Sequence, residues 1–220
     1  MRKLTLALIL LSFLGFNANA DVNVGVKITT ADMAASGSEV QNAGTLVAQK
    51  ERNATFELAS IFAEKVIGVG PMGVAVGVEM VPLTAEIAVI GGGTGFDATV
   101  EVGNLMTAYL QPMFTTEGGV SLYVKAGYAQ ADLEITNVSR QATSAVTGDS
   151  ASTDTAFSQD LSGPMFGLGM QISTDKFVDA IRVEATRHDF DEITFTNSNA
   201  KKLTADSEMD TLSIALVKSF

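Results

Sequence analysis

The feature of this sequence that most constrains its fold is an alternation of apolar residues with polar or small ones. From Val22 to Ile28 every second residue is Val or Ile, and the residues between them are Asn, Gly and Lys. The same period of two occurs in residues 73–80, 120–128, 166–172, 181–186 and 211–220. Successive side chains of a β-strand point to opposite faces, so the pattern predicts strands with one apolar face.

Two further segments show the alternation less clearly. In residues 100–114 the pattern predicts a strand with an apolar face of Val102, Met106, Ala108 and Leu110, opposite Glu101, Gly103, Thr107, Tyr109 and Gln111. In the segment from Thr55 to Val66 we expect Phe56, Leu58 and Phe62 opposite Glu57, Ala59 and Ala63. Its apolar residues also fit helical spacing, so a helix stays open, but the neighbouring strands favour a strand.

The connections between these segments alternate in length. Residues 29–53, 82–99, 137–162 and 197–207 form long connections, whereas residues 67–72, 115–119 and 173–176 form short ones. Short turns at one end and long loops at the other are typical of an up-and-down antiparallel transmembrane β-barrel. We therefore expect an all-β fold of about eight strands, with both termini at the short-turn end.

The N-terminus has the pattern of a secretory signal peptide. Arg2 and Lys3 precede an apolar run over residues 4–16, and Ala18 and Ala20 then form a small-x-small cleavage pattern before Asp21. Residues 1–20 are predicted to be removed, which leaves 21–220 as the barrel domain. No later segment has about 18 consecutive apolar residues, so no membrane-spanning helix is predicted. The product is therefore expected to be periplasmic, secreted or inserted in an outer membrane as strands.

The composition of the second strand face separates two kinds of barrel. A soluble barrel of the lipocalin type turns its apolar face inward, whereas a membrane barrel turns it toward lipid. Here the second face is rich in Gly and Ala, for example Gly25, Gly77 and Gly167, and solvated strands would favour Thr, Lys and Glu instead. Small residues suit a narrow interior, so we expect the apolar face to meet lipid.

The expected interior also carries ionisable side chains. These are Lys27, Glu57, Glu79, Glu101, Lys125, Arg182, Glu184 and His188. Buried charges must be paired or solvated, so such residues predict a network across the barrel. The network could gate a narrow path, but eight strands leave room for little besides side chains, which favours a polar plug.

Composition excludes several other kinds of function. The chain has no Cys, which rules out a thiol nucleophile and Cys-based metal sites, and His188 is its only His. Acidic residues number 25 against 14 basic ones, which argues against nucleic-acid binding. The Gly-rich stretch 91–96 lacks the Lys-Ser/Thr of a phosphate-binding loop. We expect no enzymatic activity, no cofactor and no bound metal.

The C-terminal strand carries a second recognisable pattern. Leu212, Ile214 and Leu216 alternate toward a terminal Phe220, and this arrangement resembles the C-terminal assembly signal of bacterial outer-membrane barrels. Residues 21–220 as a whole resemble the small eight-stranded barrels of the OmpA transmembrane domain, OmpX and OmpW type. Lys218 departs from the pattern, which usually has an apolar or aromatic residue there. The resemblance implies an outer-membrane location, contact with lipid and lipopolysaccharide, and folding by the barrel-assembly machinery.

Three functions follow as hypotheses. The first is an outer-membrane barrel with a plugged interior and a structural or surface-interaction role. The second is a narrow passive pore for small solutes, as OmpW-like barrels suggest. The third is a secreted or periplasmic soluble barrel that binds an apolar ligand inside.

Overall fold

The computed structural model describes residues 21–40, 46–90, 96–140, 157–175, 177–196 and 202–220, and these residues fold almost entirely as antiparallel strands. The strands are β1 (Asp21–Val40), β2 (Leu46–Val69), β3 (Met72–Met80), β4 (Ala85–Ile90), β5 (Phe96–Thr115), β6 (Val120–Arg140), β7 (Phe157–Ser173), β8 (Ala180–Thr196) and β9 (Lys202–Ser219). In this part of the chain, no helix is long and apolar enough to cross a membrane. The predicted signal peptide, residues 1–20, lies outside the described residues.

The strands close into a ring. Their order is β3-β2-β1-β9-β8-β7-β6-β5-β4, and β3 also pairs with β5. β3 and β4 therefore occupy one strand position in succession, since β3 pairs with the lower part of β5 and β4 with its upper part. The nine strands form a barrel with eight positions around its wall, which confirms the predicted fold, and residues 55–66 form part of a strand.

The described turns lie at one end of the barrel, together with both chain ends. Turns follow β2 at Gly70, β5 at Thr116 and β7 at Thr174, and Val22 exchanges backbone hydrogen bonds with Phe220 at the same end. Short turns and termini lie on the periplasmic side in barrels of this type. We call this end of the molecule the lower end.

Many of the residues predicted to form long loops are in strands. β1 continues to Val40 and β2 already begins at Leu46, so most of residues 29–53 is strand. β4 lies within the predicted loop 82–99, and β9 already begins at Lys202, within the predicted loop 197–207. These extensions escaped prediction because their apolar residues are sparse, as in the run from Ala31 to Gly37.

The lower half of the barrel is apolar outside. Ile28, Leu122 and Leu168 are 70%, 54% and 66% exposed. Lys125 and Glu184, which lie on the alternate row of their strands, are buried. β3, with nine residues, has about the length that a tilted strand needs to cross the hydrocarbon of a membrane. The predicted orientation, with apolar side chains outward and small or charged ones inward, is confirmed for this half.

The upper half has the opposite polarity. On its outer surface Asp32, Glu57, Asp189 and Asp210 are exposed. Its interior is an apolar core of Ala31, Met33, Leu58, Val81, Val102, Leu105, Ala129, Ala131, Leu133, Leu161, Phe190 and Met209. Strands of 17 to 24 residues are longer than a membrane crossing requires, so the upper half extends into water and is built like a soluble domain.

The upper half is also divided into two sheets. Within the described residues, β2 pairs with β3 only from Ile61 downward, and β7 pairs with β8 only from Met165 downward. Above these points β8, β9, β1 and β2 form one sheet, and β4, β5, β6 and β7 form the other. The apolar core fills the space between the two sheets, as in a β-sandwich.

A bulge in β5 reverses the predicted faces of one segment. Asn104 has a φ of 51° in the left-handed region, and the pairing with β6 shifts between Gly103 and Met106. Side chains on the two sides of the bulge therefore follow different phases, and Val102 and Leu105 are both buried. The prediction that Val102 faces lipid was wrong for this reason.

Candidate functional site

Six charged side chains meet inside the lower half of the barrel. They come from five strands and are Lys27 of β1, Glu64 of β2, Glu79 of β3, Lys125 of β6, and Arg182 and Glu184 of β8. Each lies on the inward row of its strand, which the period of two sets. Except for Glu79, which is only partly buried as a residue, all have less than a tenth of their surface exposed.

Four of these side chains form a ring of alternating charge, here called the quartet: Lys27, Glu79, Lys125 and Glu184. Lys27 Nζ lies 2.5 Å from Glu79 Oε1 and 3.3 Å from Glu184 Oε1. Lys125 Nζ lies 3.4 Å from Glu79 Oε2 and 3.0 Å from Glu184 Oε1. Each ammonium therefore contacts both carboxylates, which balances the buried charge within the group.

Arg182 and Glu64 form a second buried ion pair below the quartet. The guanidinium binds the carboxylate in a two-point arrangement, with Nη2 2.6 Å from Oε1 and Nη1 3.1 Å from Oε2. Asn23 Nδ2 and the hydroxyl of Tyr109 donate further hydrogen bonds to Glu64, at 3.0 and 2.8 Å. The Gln171 side-chain oxygen accepts from Arg182.

Two tyrosines connect the arginine pair with the quartet. Tyr109 donates to Glu64, and its ring centroid lies 3.9 Å from Lys125 Nζ. Tyr123 donates to Glu184 at 3.1 Å, and its ring centroid lies 5.3 Å from the Arg182 guanidinium carbon. We call the quartet, the arginine pair and these two tyrosines the charged plug.

Glycines on the inner face make room for the tyrosine rings. A Cβ atom at Gly77 would overlap the ring of Tyr109, and one at Gly169 would overlap the ring of Tyr123. The small residues of the inner face thus allow large side chains from neighbouring strands to cross the lumen.

Comparison with known proteins gives structural likenesses at low sequence identity. No protein-family model and no curated protein matches the sequence. The chain is similar to the outer membrane protease OmpT of Escherichia coli, at 10% identity and a TM-score of 0.48, over 91% of this chain and 97% of that one. It is also similar to the attachment invasion locus protein Ail of Yersinia pestis, at 12% identity and a TM-score of 0.36, over 87% and 98%.

The neisserial surface protein NspA is a third similar structure, at 13% identity and a TM-score of 0.34, over 86% of this chain and 96% of that one.

The polarity of the lower half identifies the environment of the barrel. A closed ring of strands with an apolar outer face and a charged interior can bury its outer face only in lipid. The chain is a membrane-spanning β-barrel.

Two of the predicted interior charges lie elsewhere in this barrel. Glu57 is exposed on the outer face of the upper half, and Glu101 is only partly buried and lies beside the β5 bulge. The inward and outward faces of this part of β2 were exchanged in the prediction, which placed Phe62 and Leu58 on the lipid-facing side. Both are buried inside, and the outward row carries Ile61 and Ile67 instead.

The same reversed phase explains why the sequence analysis missed Glu64. On the correct phase Glu64 falls on the inward row with Phe62, where it meets Arg182. The signal that could have identified it is the outward spacing of Ile61 and Ile67, which fits a lipid-facing row. Lys27, Glu79, Lys125, Arg182 and Glu184 lie together inside, as the network hypothesis expected.

His188 is buried just above the quartet but forms no ion pair with it in the described residues. Its Nε2 lies 3.2 Å from the Thr186 hydroxyl, and Nδ1 has no hydrogen-bond partner among those residues. A cavity of about 20 Å³ beside it is lined by the quartet and by residues of the apolar core, and is large enough for about one water molecule. His188 marks the boundary between the charged plug and the apolar core.

The residues of the predicted assembly signal lie on the lipid-facing row. Leu212, Ile214, Leu216 and Phe220 are all exposed. Lys218, which departs from the pattern of the resembled family, binds Asp179 in the turn between β7 and β8, with Nζ 3.0 Å from Oδ1. The role of this strand as an assembly signal stays a prediction.

Proposed function

We propose that this barrel is a non-conducting, non-enzymatic outer-membrane protein that stabilises the membrane or contacts partners at the cell surface. The observation that carries the proposal is the double filling of the lumen, with the charged plug below and the apolar core above. A solute would have to displace both, and separating the buried ion pairs costs several kcal/mol.

This arrangement does not favour the narrow pore. In an open pore charged groups line a path and remain hydrated. Here the carboxylates of Glu64 and Glu184 are bound by cations and tyrosine hydroxyls from strands that are not their neighbours in the ring. The soluble ligand-binding barrel is also disfavoured, because the apolar row of the lower half lies outside.

The geometry gives little support to catalysis. Acid–base chemistry needs a base within reach of a nucleophile and an accessible reacting position. The side chain of His188 is buried and contacts Thr186, within a lumen that the surrounding side chains fill.

Lipid and lipopolysaccharide are the proposed surroundings of the barrel. The apolar outer band suits the acyl chains of the membrane, and the acidic outer surface above it, which includes Asp32, Glu57 and Asp210, suits basic or divalent-cation-bridged partners. Folding is proposed to require the barrel-assembly machinery.

Single-channel recording in planar lipid bilayers tests the proposal. Correct insertion is first verified by heat-modifiable mobility on gels. We expect a bilayer containing the folded barrel to stay silent over a range of voltages. Reproducible unitary conductance would favour the pore instead.

A further inference from the structure

The boundary between the charged plug and the apolar core contains a cavity of about 20 Å³. It lies near the centre of the barrel, since eight of the nine strands contribute side chains to its lining. A buried water molecule needs at least about 10–15 Å³ of cavity volume. The cavity therefore has room for one water molecule or one small ion.

The lining of this cavity is apolar toward the core and polar toward the plug. Besides the quartet and His188, its polar part includes four threonines, which are Thr29, Thr107, Thr186 and Thr211. Purely apolar cavities of proteins stay dry, whereas polar ones hold water that forms hydrogen bonds with about two to four neighbouring groups. The composition of the lining therefore favours an occupied cavity.

His188 provides a group that a bound molecule would satisfy. The residue is 6% exposed, and its Nδ1 atom has no hydrogen-bond partner among the described residues. Its other ring nitrogen, Nε2, lies 3.2 Å from the hydroxyl of Thr186, which in turn lies 2.6 Å from the hydroxyl of Thr211. Because burial of an unpaired ring nitrogen is unfavourable, Nδ1 favours a ligand that forms hydrogen bonds.

Lys27 provides a hydrogen-bond donor to the same cavity. An ammonium group has three N–H donors. Among the described residues, Nζ of Lys27 contacts two carboxylates, those of Glu79 and Glu184. A third donor is therefore available to a molecule in the cavity, which Lys27 also lines.

The charges around the cavity favour a neutral ligand. The quartet contributes two ammonium groups and two carboxylates, and each carboxylate is contacted by both ammonium groups. An anion would lie beside the two carboxylates and a cation beside the two ammonium groups, and the balanced quartet leaves no charge for either ion to neutralise. A water molecule has no net charge and both donates and accepts hydrogen bonds.

We propose that the cavity binds one water molecule that joins His188 to the quartet. Lys27 donates a hydrogen bond to the water oxygen, and the water donates one to Nδ1 of His188. Nε2 then carries the ring proton and donates a hydrogen bond to the Thr186 hydroxyl. The water thereby connects the charged plug with the residue that borders the apolar core, and this internal site is separate from the surface role proposed above.

A high-resolution crystal structure of the purified, folded barrel tests for the bound molecule. We expect an electron-density peak within about 3.2 Å of both His188 Nδ1 and Lys27 Nζ. Crystals soaked in bromide or rubidium salts should show no anomalous signal at this position. Absence of the peak, or an anomalous signal from either ion, would overturn the proposal.

NMR spectroscopy of the histidine ring tests the order of the hydrogen bonds. His188 is the only His of the chain, so a barrel produced with ¹⁵N-labelled histidine and without a histidine tag contains one labelled residue. At neutral pH we expect a proton bound to Nε2 and none bound to Nδ1. A proton on Nδ1 would contradict the hydrogen bond that the water donates.

Two variants separate the role of His188 from a change in the size of the cavity. Oxygen-17 relaxation dispersion counts the internal waters that exchange slowly with solvent. His188→Phe keeps a ring but removes both nitrogens, and it should lower this count by about one water. Met209→Leu changes an apolar lining residue at similar volume and should leave the count unchanged.

Folding of both variants is verified by heat-modifiable mobility on gels. An unchanged water count in folded His188→Phe, or an equal decrease in Met209→Leu, would overturn the assignment of His188 as a ligand of the water. If His188→Phe does not fold, the crystal structure and the NMR spectrum of the natural chain decide the proposal.

Discussion

Arg182 and Glu64 are 118 residues apart in the sequence, yet Nη2 of Arg182 lies 2.6 Å from Oε1 of Glu64 inside the lower barrel. The pair joins β8 to β2 across the lumen. Asn23 and Tyr109 bind the remaining positions of the carboxylate. This one contact shows how the interior stabilises a closed barrel, because it links strands that are not neighbours in the ring.

Removing Glu64 should destabilise the barrel strongly. Glu64→Ala leaves the buried Arg182 guanidinium without its partner, and loss of one member of a buried ion pair costs about 3–5 kcal/mol. We expect that decrease in the free energy of unfolding, measured by urea titration in phosphatidylcholine vesicles. Glu57→Ala, on the exposed outer face, is the control and should change it by less than about 0.5 kcal/mol.

The apolar core of the upper half should contribute to stability as a soluble core does. Leu161 is 1% exposed and lies between the two sheets. Leu161→Ala creates a cavity and should lower the free energy of unfolding by about 2–5 kcal/mol. A loss below about 1 kcal/mol would show that the two sheets of the upper half do not enclose a tightly packed core.

A charge on the lipid-facing row should be costly only at membrane depth. Val124→Arg places a guanidinium on the outer face of the lower half and should cost about 2–4 kcal/mol. Glu134→Arg on the upper part of the same strand faces water and should be nearly neutral. Equal costs of the two substitutions in the vesicle titration would contradict the proposed membrane boundary.

The C-terminal strand should be fastened in a pH-dependent way by Asp179. The backbone N–H of Ser219 and then the Lys218 ammonium lower the pKa of this carboxyl below its usual 3.8. Because the pKa of Asp179 is lower in the folded protein, its contribution to stability is fully present above the usual pKa. That contribution is lost as the pH falls through the lowered pKa. We expect protection of the Ser219 amide from hydrogen exchange to decrease in that acidic range.

Asp179→Asn provides the comparison for this effect. The amide oxygen accepts a hydrogen bond but carries no charge, so Ser219 protection should be weaker and should lose its acid dependence. Asp175→Asn, in the same turn, should retain the wild-type profile. An acid dependence that survives in Asp179→Asn would assign it to another group.

Sequence patterns predicted the strands of the lower half well, because lipid imposes a regular outer row such as Val24, Val26 and Ile28. They failed where that constraint ends. Above the membrane the apolar residues turn inward, and around Met33 they are too sparse among small residues to show this reversal. The bulge at Asn104 also changed the phase of β5 locally.

The candidate site was predicted in composition but not in pairing. Lys27, Lys125 and Glu184 were assigned to the interior correctly, since each lies on the polar row of a regular alternation. Which carboxylate meets which cation depends on register across the lumen, and no local pattern encodes that. Glu64 was missed because the bulky Phe62 beside it on the inward row resembles a lipid-facing residue in sequence.

The polarity of the outer surface reverses along a single strand, and nitroxide accessibility on β6 measures this reversal most directly. Val124→Cys and Glu134→Cys provide single attachment sites on the same outward row of a chain that has no other Cys. In vesicles the label at Val124 should be relaxed mainly by oxygen, and the label at Glu134 mainly by a water-soluble nickel chelate. Dominant nickel relaxation at Val124, or dominant oxygen relaxation at Glu134, would contradict this reversal of polarity.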